Sequence, residues 1–296
     1  MLEGTYTAIA TPFDAQDKIN LNSLERLVEY QIKNGISGLV PCGTTGESPA
    51  LSKKEKRTVI EKVIDICRDR YQVVAGTGSN NTQKTIEESL WARDTGADVA
   101  MVITPYYNKP GQKGLFAHFD AVATALAPFP LLIYNVPSRT NVNLKPATLK
   151  KLCDLHSNII GIKDASGNME QVLLYKAVTP DNFSILCGED ALLPAYIACG
   201  AKGVVSVASN IYPKEMSRLV KFGLEGKATD LLQEHLDLMN IMKYLFIETN
   251  PIPVKYALNI MGFEMGLPRL PLHELSEKYR DELRTLLTNY PKKSLV

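Results

Sequence analysis

The sequence predicts an α/β fold, a (β/α)8 barrel of the TIM type with a C-terminal helical appendage. Three observations predict it. Eight short apolar runs recur over roughly the first 225 of the 296 residues. Each is followed by a segment of helical periodicity. After about residue 226 the strand pattern stops and only helical periodicity continues. Continuous apolar runs of this length suit strands buried on both faces, as in a parallel sheet. Eight even strand–helix units suit closure into a barrel. The expected organisation is a (β/α)8 barrel over 1–225 and a helical region over 226–296 packed on it.

The runs are "TYTAIATPF", "GISGLVPCG", "YQVVAGTG", "ADVAMVITP", "PLLIYNVP", "IIGIKDAS", "FSILCGED" and "AKGVVSVAS". The first helix, "SLERLVEYQIKNG", should stop at Gly35, where a left-handed residue ends a helix at little cost. The helix after the second run, "SKKEKRTVIEKVIDICRDR", opens with a Ser52–Glu55 capping box. Val59, Val63 and Ile66 then mark one apolar face. The third helix should stop at Gly96. Beyond the barrel, "KATDLLQEHLDLMNIMKYLF" reads as a long amphipathic helix. "NPIPVKYALNIMG" reads as a helix entered through Pro251 and Pro253. "HELSEKYRDELRTLLTNY", ending at Tyr290, reads as the last helix. A doubly wound sheet is the alternative fold. It seldom needs eight such repeats, and the G-x-G-x-x-G fingerprint is missing after the first strand; "GTGSNN" at 76–81 is only a partial match.

Composition narrows the function classes. Apolar residues make up 45% and charged residues 22%, and the net charge is +1, which argues against a nucleic-acid binder. Five widely spaced cysteines without C-x-x-C suit a reducing compartment. Four scattered histidines give no metal-ligand spacing, so neither a metal nor another cofactor is expected. The N-terminus lacks a signal-peptide pattern and no apolar run reaches membrane-spanning length, so the expected location is cytoplasmic, with no membrane partner.

Lys163 stands out because it interrupts a buried strand, where desolvation penalises an ammonium group. In a barrel it would lie on the sixth strand, near the C-terminal ends that carry catalytic groups. Thr44 and Thr45 lie at the end of the second strand between two glycines, Tyr106 and Tyr107 after the fourth, Tyr134 on the fifth, and Arg139 just beyond it. Each has a plain structural alternative. Lys163 could sit at a strand edge with its head in water, and Tyr134 could be packing with a satisfied hydroxyl. Arg139 could form a surface ion pair of little worth, and "GTTGE" could be only a turn. Together they bring an amine, two kinds of hydroxyl and a guanidinium to one end of one barrel. Desolvation favours the neutral, nucleophilic amine. Such an amine attacks a ketone to give a Schiff base, whose iminium acidifies the neighbouring C–H without a metal. A tyrosine linked to a threonine hydroxyl would shuttle the proton. N–H donors of "GTTG" would hold one carboxylate and the planar fork of Arg139 a second. Phosphorylated substrates fit poorly, because Glu189 and Asp190 follow the seventh strand, where barrels often hold phosphate.

The motifs "GTTGE" (43–47), "TPYYN" (104–108), "YNVPSRT" (134–140), "GIKDASG" (161–167) and "NPIPVK" (250–255) resemble those of the pyruvate-dependent class I aldolases related to N-acetylneuraminate lyase. Within that family the arginine of "YNVPSRT" is similar to the dihydrodipicolinate (4-hydroxy-tetrahydrodipicolinate) synthase branch. The resemblance implies that Lys163 forms the Schiff base with pyruvate, with no separate cofactor, and that Tyr134 shuttles protons. It implies that Thr44 bridges two tyrosine hydroxyls, the second being Tyr107 of a neighbouring subunit. Thr45 would hold the pyruvate carboxylate and Arg139 that of L-aspartate 4-semialdehyde. Gly188 and Val205 would line the pocket. The implied reaction belongs to lysine and diaminopimelate biosynthesis, and the implied assembly is a homotetramer built as a dimer of dimers. An aldolase acting on a sugar acid, or a barrel without catalysis, is the alternative. Asp164 stands where many relatives have glutamate, and Asn141 where glycine is common. Ser48, Asn80 and Tyr106 match a lysine effector site. At that site Lys53 replaces histidine or tryptophan, Lys56 replaces histidine and Lys84 replaces glutamate. Three ammonium groups there would repel a cationic effector, so inhibition by lysine is expected to be weak or absent.

Overall fold

The computed structural model describes residues 1–68 and 70–289. Among the described residues, eight strands close a barrel in chain order, β1 to β8, with helices between them and three further helices after the last unit. By its internal contacts the chain divides into two compact units, residues 1–4 with 72–205, and residues 5–71 with the chain from 206 onward.

The first unit carries β3 (Gln72–Gly76), β4 (Val99–Ile103), β5 (Leu131–Asn135), β6 (Ile159–Asp164) and β7 (Ser184–Cys187), with most of β8 (Gly203–Ser206). These strands pair in parallel, each with the next, from β3 with β4 through β7 with β8. Their residues are almost entirely buried, among them Val74, Val102, Ile133, Ile162 and Ile185, which is why the sequence shows runs rather than alternation. The helices between them are α3 (Thr82–Thr95), α4 (Gln112–Leu126), a single turn α5 (Pro137–Thr140), α6 (Pro146–Leu155), α7 (Met169–Val178) and α8 (Leu193–Ala198). Asn81 and Asn168 cap α3 and α7 by accepting from Lys84 N and Gln171 N, satisfying amides that the first turn leaves open. As expected, α3 stops at Gly96, in the left-handed region at φ 103°.

The second unit holds most of β1 (Gly4–Ala8) and all of β2 (Gly38–Val40), paired in parallel. With them are α1 (Leu21–Lys33), α2 (Lys53–Cys67), α9 (Pro213–Leu224), α10 (Ala228–Tyr244), α11 (Ile252–Ile260) and α12 (Glu277–Asn289). Gly35 follows the end of α1 at φ 78°. The capping box of α2 is formed in both directions, Glu55 N donating to Ser52 Oγ at 3.3 Å and Ser52 N to Glu55 Oε2 at 2.8 Å. One expectation shifts: the buried face of α2 is Val59, Ile60, Val63 and Cys67, with Ile66 half-buried. The i, i+4 row from Val59 through Val63 ends on the cysteine. The helix entered through Pro251 and Pro253 is present as α11. The last helix forms from Glu277; its expected end at Tyr290 lies outside the described residues, as do 291–296 of the C-terminal region. Among the described residues, no helix is long and apolar enough to cross a membrane.

Candidate active site

In the first unit the register of β5 and β6 assembles the central pair. Tyr134 lies opposite Lys163, and Asn135 opposite Asp164. Register partners share a face of a sheet, and neighbours along a strand take opposite faces. Asn135 and Asp164 turn to the helix side. Asn135 Nδ2 donates to Asp164 Oδ1 at 2.9 Å, and Asp164 Oδ2 accepts from Tyr196 of α8 at 2.8 Å and from Ser166 Oγ at 2.6 Å. Tyr134 and Lys163 therefore face the barrel interior. Each is only 5% exposed, and the Lys163 amine lies 4.1 Å from the centroid of the Tyr134 ring.

The same alternation places Val205. Lys163 is in register with Leu186 and Leu186 with Gly203, so Leu186 and Gly203 share the interior face, and Val205, two residues on in β8, continues it; Gly188 follows the end of β7. Val205 is buried. Gly188 N donates to Asp164 O at 2.7 Å, and a Cβ at this glycine would lie 2.8 Å from Ala165 Cβ and 3.0 Å from Asp164 O. Only a residue without a side chain lets the two strand ends approach this closely. Next to it, the Glu189 carboxyl is raised above the usual range, first by burial and then by Asp190; the positive charges of Lys163 and Arg139 oppose this. Lys163, Glu189 and Arg139 thus share one electrostatic neighbourhood, a link that the sequence reading missed. Arg139 itself is exposed on α5. Tyr107 stands apart, 89% exposed, with its backbone at φ 69°. Tyr106 is half-buried, Lys84 is exposed, and Asn80 O accepts from Asn108 Nδ2 at 2.9 Å.

In the second unit the turn after β2 is tightly built. Glu47 N donates to Thr44 O and Ser48 N to Gly43 O; Thr11 Oγ1 donates to Gly46 O at 2.8 Å. Thr44 is half-buried and Thr45 fully buried. The Thr45 hydroxyl accepts from Asn250 Nδ2 at 3.0 Å. Glu47, in the left-handed region at φ 55°, is buried and bound by Lys255 Nζ at 2.8 Å. Burial pushes the Lys255 ammonium down to about 8 against the opposing pull of Glu47. Neither Asn250 nor Lys255 was singled out as a functional residue, although both lie in "NPIPVK". The signal was an Asn and a Lys bracketing an apolar helix start. Ser48 and Lys56 are half-buried and Lys53 is exposed.

Comparison with known proteins agrees with this architecture over nearly the whole chain. A curated 4-hydroxy-tetrahydrodipicolinate synthase of Methanocaldococcus jannaschii is 48% identical over 289 residues, covering 97% of this chain and 98% of the relative. One of Clostridium novyi is 42% identical over 294 residues, covering 99% and 98%. Among solved structures, the dihydrodipicolinate synthase of Aquifex aeolicus superposes with a TM-score of 0.96 at 40% identity, covering 98% of each chain. The 4-hydroxy-tetrahydrodipicolinate synthase of Methylacidiphilum fumariolicum SolV does so with 0.96 at 43% identity, covering 99% of this chain and 97% of that one. The model of the dihydrodipicolinate synthetase family matches residues 1–290, and the chain belongs to that family.

Proposed function

We propose that the protein is a 4-hydroxy-tetrahydrodipicolinate synthase, a class I aldolase that joins pyruvate to L-aspartate 4-semialdehyde in lysine and diaminopimelate biosynthesis. The observation that carries the mechanism is the Lys163 amine, buried on the interior face against the Tyr134 ring. A lysine amine held beside a proton-carrying hydroxyl can act as the nucleophile toward a keto acid. Lys163 attacks the ketone carbon of pyruvate, and water leaves to give the iminium. Tyr134, in register beside it, is placed to carry protons for that dehydration and for removal of a methyl proton to form the enamine. The enamine carbon adds to the aldehyde carbon of the second substrate. The amino group of that substrate then attacks the former ketone carbon, releasing Lys163 as the ring closes. Thr44 bridges the relay, and Thr45 holds the pyruvate carboxylate. Arg139, whose charge already reaches Glu189, holds the carboxylate of the semialdehyde. Gly188 and Val205 give the keto acid an apolar, close-fitting wall.

The exposure of Tyr107 supports its use by a second copy of the chain, which would complete the Thr44 relay in an assembly of at least two subunits, arranged as a homotetramer of paired dimers. The lysine effector site, at Ser48, Lys53, Lys56, Asn80, Lys84 and Tyr106, is degraded in this chain.

Borohydride reduction in the presence of pyruvate, followed by peptide mapping, tests the reading. The expected result is a stable pyruvyl adduct on Lys163. Arg139→Ala should retain the adduct and lose coupling to the semialdehyde. No adduct in the native enzyme would mean a barrel without this chemistry. An adduct without turnover of the semialdehyde would point to a sugar-acid aldolase.

A further inference from the structure

Thr45 is fastened from a distant part of the chain. Asn250, itself 3% exposed, donates to its hydroxyl oxygen from 205 residues away. A hydroxyl has one hydrogen and two lone pairs. With Asn250 donating into a lone pair, the hydrogen of Thr45 is left to point elsewhere. Two residues on, the Glu47 carboxylate is gripped on both oxygens, Oε1 by Lys255 Nζ and Oε2 by Arg269 N, each at 2.8 Å. Lys255 Nζ also donates to Leu267 O at 3.0 Å, and both side chains of the Lys255–Glu47 pair are 1% exposed. The segment 250–269 therefore holds the threonine turn at two points. It also neutralises the buried carboxylate of Glu47, two residues from Thr45 in the chain, whose uncompensated charge would oppose anion binding at that turn.

We propose that Asn250 is a positioning residue for the keto acid: by donating to Thr45 it reserves the Thr45 hydroxyl hydrogen for the substrate carboxylate, while the Lys255–Glu47 pair keeps the turn in place. This rests on the reading of Thr45 as the carboxylate ligand. Asn250 itself touches no reacting atom. It acts on recognition, so its loss should change the pyruvate concentration needed and leave the saturated rate of trapping nearly intact.

The test compares Asn250→Asp with Asn250→Ala in the full-length enzyme, using borohydride trapping across a series of pyruvate concentrations, with thermal unfolding followed in parallel. Aspartate has nearly the shape of asparagine but only accepts, so it turns the Thr45 hydrogen toward itself. Alanine leaves that hydrogen unoriented but unclaimed. The expected result is that half-saturating pyruvate rises about tenfold in Asn250→Asp, the scale of one lost hydrogen bond to a charged group, and rises less in Asn250→Ala. A packing role gives the opposite order, because alanine leaves a cavity that aspartate fills; that order would overturn the proposal. The same substitution in a Thr45→Val background should add little. An undiminished further rise there would mean that the new charge repels pyruvate directly, and would also overturn it. Unchanged half-saturation in the variants, with normal trapping in the native enzyme, removes Asn250 alone. Absence of trapping in the native enzyme removes the keto-acid reading and this proposal together.

Discussion

Lys53 and Lys84 are exposed and Lys56 is half-buried. The family resemblance implies that lysine-inhibited relatives carry histidine, tryptophan or glutamate at these positions. The relatives' glutamate would attract the effector's amino groups; Lys84 reverses that sign, and Lys53 and Lys56 add to it. Each ammonium–ammonium repulsion at a few ångströms costs on the order of 1 kcal/mol in water and more where solvent is excluded. If the proposed effector site exists, three of them would outweigh what Ser48, Asn80 and Tyr106 could return through neutral hydrogen bonds. Titration with L-lysine under initial-rate conditions should therefore leave activity nearly unchanged through the millimolar range. Half-maximal inhibition below a millimolar would contradict the argument. A neighbouring departure from the family is benign for a backbone reason. Asn141 replaces a common glycine at the end of α5, at φ 57°, and asparagine is among the side chains that tolerate the left-handed region best.

Strands β5 and β6 work as a pair, and their helix-side residues hold the register of their interior ones. The Asp164 carboxylate receives four donors, Asn135 Nδ2, Ser166 Oγ, Ser166 N and Tyr196 OH, and is fully buried. Asn135 also donates to Asn143 Oδ1 at 2.9 Å, and its own Oδ1 accepts from Leu144 N at 3.0 Å. Asp164→Asn keeps the shape but sets an NH2 group against donors. It should cost about 2 kcal/mol, the scale of a buried polar group left unmatched, and it should slow adduct formation because the Tyr134–Lys163 register loosens. Urea denaturation and the trapping rate measure the two effects; an unchanged rate at lowered stability would confine the network to folding. The strand itself was legible, since Ile159, Ile160 and Ile162 around one lysine leave few alternatives. So were the capping box of α2 and the glycine ends of α1 and α3, because those signals act within a few residues. The partners of Asp164, the shift of the α2 face to Cys67, and the hold of Asn250 and Lys255 on "GTTGE" were not. Apart from Ser166, two residues from Asp164, they depend on groups brought together from 29 to 208 residues apart, or on which of two neighbouring apolar residues the packing selects, and no local pattern encodes either.

For the molecule as a whole, response to acid depends on which groups the fold keeps uncharged. His118, on α4, is buried, with Nδ1 3.0 Å from Thr82 Oγ1. Its Nε2 has no hydrogen-bond partner among the described residues. An imidazolium would need a partner for both N–H groups, and burial pushes its pKa from 6.5 down to about 4. The unfolded chain, free of that burial, takes up the proton near pH 6.5. Between these values the unfolded state binds more protons than the folded one, so stability falls as the pH falls. The loss from pH 7 to pH 5 amounts to about 2 kcal/mol at 1.36 kcal/mol per pKa unit. Glu55 acts in a different window. Its hydrogen bond from Arg269 holds the carboxyl down to about 2, so the stability it adds is intact above its ordinary value of 4.5 and is lost only as the pH falls toward 2. The two are therefore separable. Chemical denaturation of the native protein and of His118→Gln at pH 7 and pH 5 should show the native protein losing about 2 kcal/mol more than the variant. The side-chain amide of the variant keeps a partner for Thr82 and does not titrate. Equal losses in the two proteins would mean that His118 takes up its proton in the folded state as readily as in the unfolded chain, and that the acid sensitivity of this fold lies elsewhere.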